Sequence, residues 1–287
     1  MDNKIIFLIQ CADRRGILSS TTTFFSDLGF NILHCQQHTD AREGRYFMRI
    51  ELDLADLPST RSDLEKRFAR FAEEHRLTWR CHWGDYRSRV AILVSKTSHC
   101  LYDLLFHVSE GDLFCDIPLI ISNHPDLESV ADQFRIPYYH LPVTKETREE
   151  QEAEILRLLD RFDIDLVVLA RYMQILSPSF TDTWHGRIIN IHHAFLPAFQ
   201  GANPYLQAYE RGVKMIGATA HYATEELDRG PIIEQDVIRV SHELDPSGLK
   251  NLGKDVERRV LTKAVSAHLE SRVIIYRNRT IVFGPIV

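Results

Sequence analysis

Short apolar runs alternate with helical stretches through the C-terminal part of the chain, and this alternation restricts the possible folds most. The runs are VAILVS (Val90–Ser95), DIPLIISN (Asp116–Asn123), IDLVVLA (Ile164–Ala170) and RIINIHH (Arg187–His193), and helical stretches lie between the first three. This order predicts a doubly wound, mainly parallel sheet with helices on both faces. Ligands of such sheets bind at the carboxyl ends of the strands, so we expect a site there.

The first part of the chain has a different pattern. An apolar run, KIIFLIQC, precedes a helical segment, two strand segments around AREG, a second helical segment and a closing strand, LTWRCHW. This βαββαβ order predicts a ferredoxin-like domain over residues 1–83. The polar segment GDYRSR predicts a linker over residues 84–89, and residues 90–287 form the large domain. We therefore expect an α/β protein of two domains, which suits a length of 287 residues.

The small domain resembles the ACT regulatory domains. The resemblance covers residues 4 to about 83 and rests on the element order and on CADRRGIL at the first strand-to-helix turn. It implies that chains pair through this domain into a homo-oligomer and that an amino-acid effector binds near that turn. The effector-binding residues that it implies are Asp13, Gly16, Ile17 and Asn31. On element order alone, a purely structural dimerisation module is an equal alternative.

The charge and the cysteines restrict the partners and the compartment. The formal net charge is −6, from 34 basic and 40 acidic residues, which argues against nucleic acid as the main partner. The five cysteines are odd in number and form no C-x-x-C pair, so neither a disulfide framework nor a zinc ribbon is expected. Free thiols fit a reducing compartment. Because the sequence has no basic leader and no apolar run of membrane-spanning length, we expect a soluble cytoplasmic protein that acts away from membranes.

Polar side chains appear where the fourth apolar run ends. Successive residues of a strand point to opposite faces, so Asn190 and His192 share one face while His193 points away. A regular strand cannot aim both histidines at one ligand, so we expect His192 alone to join Asn190 in a site, without a metal. The alternative is that both histidines cap the strand and bond to loop backbone. An amide and an imidazole on one face, at an edge of the sheet where ligands bind, favour a functional site over this capping role.

A carboxylate follows later, in the loop of GATAHYATEELDRGPIIEQDV, where Asp228 precedes Gly230 by two residues. Asp228 could serve only to make the turn. An amide, an imidazole and a carboxylate together, however, are what acyl-group chemistry at neutral pH requires. The chain has no serine or cysteine in a nucleophile elbow and no H-E-x-x-H motif. The attacking group is therefore expected to belong to the substrate or to be water.

Asn190, His192 and Asp228, with FLPAFQGANPY between them, resemble the Asn-x-His…Leu-Pro…Asp motif of the folate-dependent formyltransferases. ARYMQILSP is similar to the segment whose backbone binds the pterin ring in that family. It implies a substrate site at Arg171, Tyr172, Met173, Gln174, Ile175 and Leu176. The ACT-like domain joined to NIHHAFLPAF and GPIIEQDV resembles the branch that hydrolyses formyltetrahydrofolate to tetrahydrofolate and formate.

This resemblance implies a role for each residue of the motif. Asn190 and His192 would hold and protonate the tetrahedral intermediate, while Asp228 would position the water and tune His192. The folate is the substrate, so no cofactor is implied, and the reaction would supply formate and balance one-carbon pools for purine synthesis. Two other functions remain open: formyl transfer to an amine acceptor such as glycinamide ribonucleotide, and a non-catalytic sensor of folate and amino acids.

The residues after the first strand of the large domain favour water over an amine. The stretch from Ala91 to Phe106 contains no glycine, whereas relatives that accept a nucleotide hold its phosphate on a glycine-rich turn there. The alternative is that serine and lysine side chains bind the phosphate here in place of a glycine-rich turn. We expect instead that His99, Leu101 and Tyr102 crowd the acceptor groove.

A few residues also have simpler interpretations. A surface arginine and a core methionine are the alternatives to folate contacts for Arg171 and Met173. His221, which shares a strand face with Thr219, is expected to alternate outward. Cys100 is expected to be a small core residue, although a thiol–imidazole pair with its neighbour is conceivable.

Overall fold

The computed structural model describes residues 3–55, 60–198 and 203–284. It divides into two compact units. The first contains the described residues up to Arg87, Ser271–Ile274 and those from Ile281 onwards, and the second contains Ser88–Glu270 and Ile275–Thr280. The grouping of Ser271–Ile274 with the first unit differs from the predicted range 90–287. Its physical basis is that Arg49 Nε donates to the carbonyl of Ser271 at 3.1 Å, while Arg80 donates to that of Val273.

The first unit has the predicted βαββαβ order. Its elements are β1 (Lys4–Ala12), α1 (Ile17–Asp27), β2 (Ile32–Asp40), β3 (Arg45–Asp53), α2 (Arg61–Glu74) and β4 (Thr78–Trp83). The strands form one antiparallel sheet in the order β2-β3-β1-β4. The helices pack on β1 through Phe25 and Phe68, whose ring centroids lie 5.0 and 4.5 Å from that of Phe7.

On the other face of this sheet the residues of the central strands β1 and β3 are buried as well. Ile6 and Leu8 are 3% exposed and Phe47 is fully buried. Arg49 and Glu51 share this face because they alternate with the core residues of β3, and Arg49 Nη1 lies 3.0 Å from Glu51 Oε2. Most residues of the edge strand β2, in contrast, are exposed.

The second unit alternates strands and helices as predicted. Its elements are β5 (Ser88–Val94), α3 (His99–Glu110), β6 (Cys115–Ser122), α4 (Glu128–Gln133), β7 (Tyr138–His140), α5 (Arg148–Arg161), β8 (Leu166–Leu169), α6 (Pro178–Thr183), β9 (Ile188–His192), α7 (Pro204–Glu210), β10 (Met215–Tyr222), β11 (Ile232–Arg239) and α8 (Pro246–Leu269). β5 begins at Ser88, inside the predicted linker 84–89. α7 begins with Pro204 and Tyr205, and residues 199–202 before it lie outside the described residues.

The strands of this unit form a seven-stranded sheet in the order β11-β10-β9-β8-β5-β6-β7. The pairs from β9 to β7 are parallel, and β10 pairs antiparallel with both β9 and β11. The predicted mainly parallel sheet is therefore confirmed. β8 and β6 flank β5, so the strand order reverses beside β5, where sheets of this kind form a crevice at the carboxyl ends of their strands.

The last described strands, β12 (Val273–Tyr276) and β13 (Arg279–Val282), form a hairpin that turns at Arg277 and Asn278. Over the ranges that the structure describes, every helix is too short or too polar to cross a membrane.

Candidate active site

Asn190, His192 and Asp228 come together at the carboxyl end of β9. His192 Nδ1 lies 3.1 Å from Asp228 Oδ1. Asn190 Nδ2 lies 3.2 Å from Nε2 of a fourth side chain, His221, and that Nε2 lies 3.7 Å from Asp228 Oδ1. The carboxylate thus stands between two imidazoles, with the amide beside one of them.

His221 belongs to this cluster, so the expectation that it points outward is wrong. β9 and β10 run antiparallel, and their register places His221 opposite Asn190 and Thr219 opposite His192. His221 is only 2% exposed, and its Nδ1 lies 3.0 Å from the carbonyl oxygen of Tyr222. Because a carbonyl only accepts hydrogen bonds, that Nδ1 carries a proton. Antiparallel pairing of the two strands was the signal that would have placed His221 beside Asn190.

Asp228 is held in a tight loop. Its φ of 56° lies in the left-handed region, which side chains with a Cβ rarely adopt. A Cβ at Gly230 would overlap the carbonyl oxygen of Tyr222, so the loop can close on the end of β10 only because position 230 has no side chain. Burial alone would raise the pKa of Asp228, but interactions with His192 and His221 outweigh it and hold that pKa well below its usual value. The carboxylate is therefore ionised at neutral pH.

His192 is buried, with 6% of its surface exposed. Its Nε2 has no hydrogen-bond partner among the residues that the structure describes. Buried polar atoms in proteins are nearly always bonded, so an atom in this position calls for a ligand or a water. With Nδ1 engaged by Asp228, the second ring nitrogen remains to exchange a proton with a bound molecule.

His193 lines the same cavity as His192, contrary to the expectation that it points away. β9 ends at His192, so the alternation of a strand no longer applies at the next residue, and the two ring centroids lie 5.3 Å apart. Burial, followed by the nearby Arg171 guanidinium, lowers the pKa of His193 to about 3. His193 is therefore uncharged at neutral pH and too weak a base to exchange protons there.

A cavity of about 320 Å³ opens beside the cluster. Its lining includes the three motif residues and the whole predicted substrate segment, namely Arg171, Tyr172, Met173, Gln174, Ile175 and Leu176. Met173 and Ile175 are 61% and 54% exposed, so the alternative of a core methionine is wrong. Exposed apolar side chains at a cavity are typical of a ligand-binding surface.

Neighbouring side chains fix the backbone of this segment. Ser95 Oγ accepts a hydrogen bond from Met173 N at 3.0 Å and donates to Asn123 Oδ1 at 2.7 Å. Arg148 donates to the carbonyl of Ile175. Tyr172 is 6% exposed, and burial raises the pKa of its hydroxyl to about 12. The segment is thus preformed for a ligand.

Comparison with known proteins decides the family. Residues 88–265 match the formyl transferase family, and residues 5–69 match the ACT domain. The formyltetrahydrofolate deformylase of Synechocystis sp. is 51% identical over 277 residues, which cover 96% of this chain and 97% of that one. The chain belongs to the formyltetrahydrofolate deformylases.

Solved structures agree with this assignment. The crystal structure of a formyltetrahydrofolate deformylase from Pseudomonas syringae pv. tomato str. DC3000 superposes with a TM-score of 0.97 at 44% identity and covers 99% of this chain and 95% of that one. A glycinamide ribonucleotide transformylase 1 from Symbiobacterium toebii superposes with a TM-score of 0.66 at 28% identity, over 71% of this chain and 97% of that one. This chain therefore shares much of its fold with a glycinamide ribonucleotide transformylase.

The three residues that were expected to crowd an acceptor groove, His99, Leu101 and Tyr102, differ from one another in their environments. His99 Nε2 lies 2.8 Å from Glu257 Oε2, so its imidazole pairs with a carboxylate. Leu101 is a fully buried core residue and so does not line a groove, whereas Tyr102 is 38% exposed on α3 and its crowding of the acceptor groove stays a prediction. Cys100 is 1% exposed, as expected of a small core residue.

The side chain of Arg171 does not lie on the surface. Its side chain is 12% exposed, and its Nε lies 3.5 Å from Glu257 Oε2. Its φ of 65° is in the left-handed region, so the backbone turns at this residue.

The predicted effector residues lie in the first unit, at the connection between β1 and α1 and at the connection between α1 and β2. Asp13, Gly16 and Ile17 follow β1, and Asn31 precedes β2. Gly16 caps α1 with a φ of 90°, which only glycine adopts readily. Ile17 is buried while the other three are exposed, and effector binding by all four stays a prediction.

Proposed function

We propose that this chain hydrolyses formyltetrahydrofolate to tetrahydrofolate and formate. The observation that supports it most directly is the His192 imidazole at the cavity, which is paired with Asp228 through Nδ1 while its Nε2 has no partner among the described residues. In a member of the deformylase family, this geometry favours proton transfer to a formyl derivative bound in the cavity.

In this proposal the folate lies along residues 171–176. The exposed side chains of Met173 and Ile175 suit the flat faces of a pterin ring, and main-chain groups of the anchored segment suit its polar edge. Tyr172 and Leu176 are buried and support the segment from within, while Gln174 is half-buried. The folate is the substrate, and side chains alone carry the proton transfers.

The proposed chemistry begins with addition of water to the formyl carbon. Asp228, which is ionised, positions the water and orients His192. The carbonyl oxygen becomes an oxyanion, which an N–H of Asn190 stabilises in the water-poor site. His192 Nε2 accepts a proton from the attacking water and then delivers it to the folate nitrogen as the C–N bond breaks. The water oxygen leaves in formate, and the nitrogen leaves as tetrahydrofolate.

The wider role follows from these products. Hydrolysis supplies formate and returns tetrahydrofolate, so we place the chain in the balance of one-carbon pools for purine synthesis. We also place it in the cytoplasm, because all five cysteines are free and free thiols fit a reducing compartment.

The first unit serves regulation and assembly in this proposal. An amino acid would bind near Asp13, Gly16, Ile17 and Asn31, three of which are exposed. β2 is an edge strand with mostly exposed residues, and an open edge can pair with a second chain. On the helix-free face the residues of β1 and β3 are buried, so pairing through the edge is favoured over pairing through that face.

Formate release by the purified chain tests the proposal against both alternatives. Formate from formyltetrahydrofolate without any added acceptor supports hydrolysis. Turnover only in the presence of an amine acceptor would establish a formyltransferase instead, and folate binding without turnover would establish a sensor.

A further inference from the structure

Behind the catalytic cluster lies a buried network centred on Glu257 of α8. The Tyr205 hydroxyl donates to Glu257 Oε1 at 2.6 Å, while Oε2 lies 2.8 Å from His99 Nε2 and 3.5 Å from Arg171 Nε. The carboxylate is only 2% exposed, so these three side chains, rather than bulk solvent, are its polar neighbours. His99, Cys100 and Glu257 have donor atoms close enough for a metal ion, but the Arg171 guanidinium would repel a cation there.

α8 is shaped to admit Tyr205. Gly253 lies four residues before Glu257, hence on the same face of the helix. A Cβ at Gly253 would overlap the hydroxyl and ring atoms of Tyr205. The phenol ring therefore occupies room that exists only because position 253 has no side chain.

The network continues to the catalytic imidazole through His193. The ring centroid of His193 lies 5.9 Å from that of Tyr205 and 5.3 Å from that of His192. Since His193 is uncharged at neutral pH, it contributes volume rather than a proton. The three rings form a continuous row from the cavity to Glu257.

An amine acceptor and water make different demands on this region. The amine nitrogen must reach the formyl carbon beside His192, so the rest of the acceptor needs adjoining space and polar groups that can bind it. Water needs only a volume of about 30 Å³ and a few hydrogen bonds. The fold itself allows an amine, because the Symbiobacterium toebii transformylase shares it. The choice of acceptor must therefore depend on side chains.

We propose that Tyr205, supported by Glu257 and His99 and backed against His193, is a specificity-determining residue that fills the acceptor side of the catalytic centre and reserves the formyl group for water. This inference rests on the proposed hydrolysis. It assigns to packing, rather than to the catalytic residues, the exclusion of an amine.

The experiment measures how the formyl group is partitioned between water and a small probe amine, glycinamide. Wild type and variants of the full chain are given formyltetrahydrofolate with glycinamide, and N-formylglycinamide and formate are quantified together. Tyr205→Ala removes the ring, Tyr205→Phe keeps its shape without the hydroxyl, and His99→Ala opens the same region from α3. Because the result is a ratio, a general loss of activity does not change it.

We expect wild type and Tyr205→Phe to form negligible N-formylglycinamide. For Tyr205→Ala, the ratio of N-formylglycinamide to formate should rise by about tenfold or more, because removal of the ring opens a pocket for the amine. If Tyr205→Ala does not fold, a rise in His99→Ala supports the same inference. A ratio equal to that of wild type in every folded variant that still releases formate would overturn it. Wild type that formylates glycinamide, or that needs an amine for turnover, would instead refute the proposed hydrolysis.

Discussion

The His192 imidazole is fixed on one side by Asp228, whose Oδ1 lies 3.1 Å from Nδ1, and its Nε2 is buried without a partner among the described residues. An ionised carboxylate on Nδ1 sets the orientation and the tautomer of the ring and leaves the opposite nitrogen as the one that faces a bound molecule. The pair therefore directs a proton-exchanging nitrogen toward the cavity that the predicted folate-binding segment lines.

Removal of that nitrogen should abolish most of the activity. We expect His192→Ala to lower kcat by roughly 10²–10⁴-fold with folate affinity nearly unchanged, because the imidazole acts only on the reacting atoms. His193→Ala is the matched control, since His193 lines the same cavity but is too weak a base to carry the proton. Steady-state kinetics and a binding titration check both variants, and equal losses of kcat would refute the assignment.

Ser95 provides a test of the folate segment. Its hydroxyl accepts from Met173 N and donates to Asn123 Oδ1, so Ser95→Ala removes both hydrogen bonds and should loosen the segment. Loss of the bond to Met173 N, worth ~1 kcal/mol, should raise KM by about fivefold. The effect on kcat should be smaller, because Ser95 is remote from the chemistry in this proposal. Ser98→Ala is a suitable control, since the Ser98 side chain makes no capping hydrogen bond to α3. An unchanged KM in Ser95→Ala would contradict a role of residues 171–176 in folate binding.

His193 should make the folded chain sensitive to acid. In the folded state its pKa is lowered from 6.5 to about 3, so between these values the unfolded chain binds a proton that the folded chain does not. The free energy of unfolding should consequently fall as the pH drops below about 6.5. His193→Gln removes this contribution, so its urea midpoint should fall less between pH 7 and pH 5 than that of wild type. Parallel decreases would show that His193 ionises alike in both states.

The loop that holds Asp228 depends on Gly230. Gly230→Ala would force a Cβ onto the carbonyl oxygen of Tyr222, and we expect it to destabilise the fold by about 1–3 kcal/mol or more and to lower formate release. Gly284→Ala is the control, because a Cβ there would meet no atom within 4 Å. Thermal unfolding of both variants gives the comparison. Retention of wild-type stability and activity by Gly230→Ala would show that the loop can adjust.

The sequence predicted the parts of the site that follow from local periodicity. Asn190 and His192 share a face because strand side chains alternate, and both line the cavity as expected. His193 was misplaced because the alternation stops where β9 ends. His221 was misplaced because its position depends on the antiparallel register between β9 and β10, which no short stretch of sequence specifies.

Long-range contacts set a further limit on sequence-based prediction. The grouping of Ser271 with the first unit depends on its contact with Arg49, which lies 222 residues away in the chain. The environment of Arg171 likewise depends on Glu257, which belongs to a different helix. An exposed arginine and a buried, paired arginine have the same local sequence pattern, so only the packed structure separates them.

Water is the proposed acceptor of the formyl group, and a mass balance with glycinamide ribonucleotide distinguishes it from an amine acceptor. Tetrahydrofolate, formate and formylated nucleotide are quantified after turnover of the full chain with and without the nucleotide. We expect equal amounts of formate and tetrahydrofolate in both reactions and no formylated nucleotide. Tetrahydrofolate in excess of formate, with the difference recovered as formylated nucleotide, would contradict it.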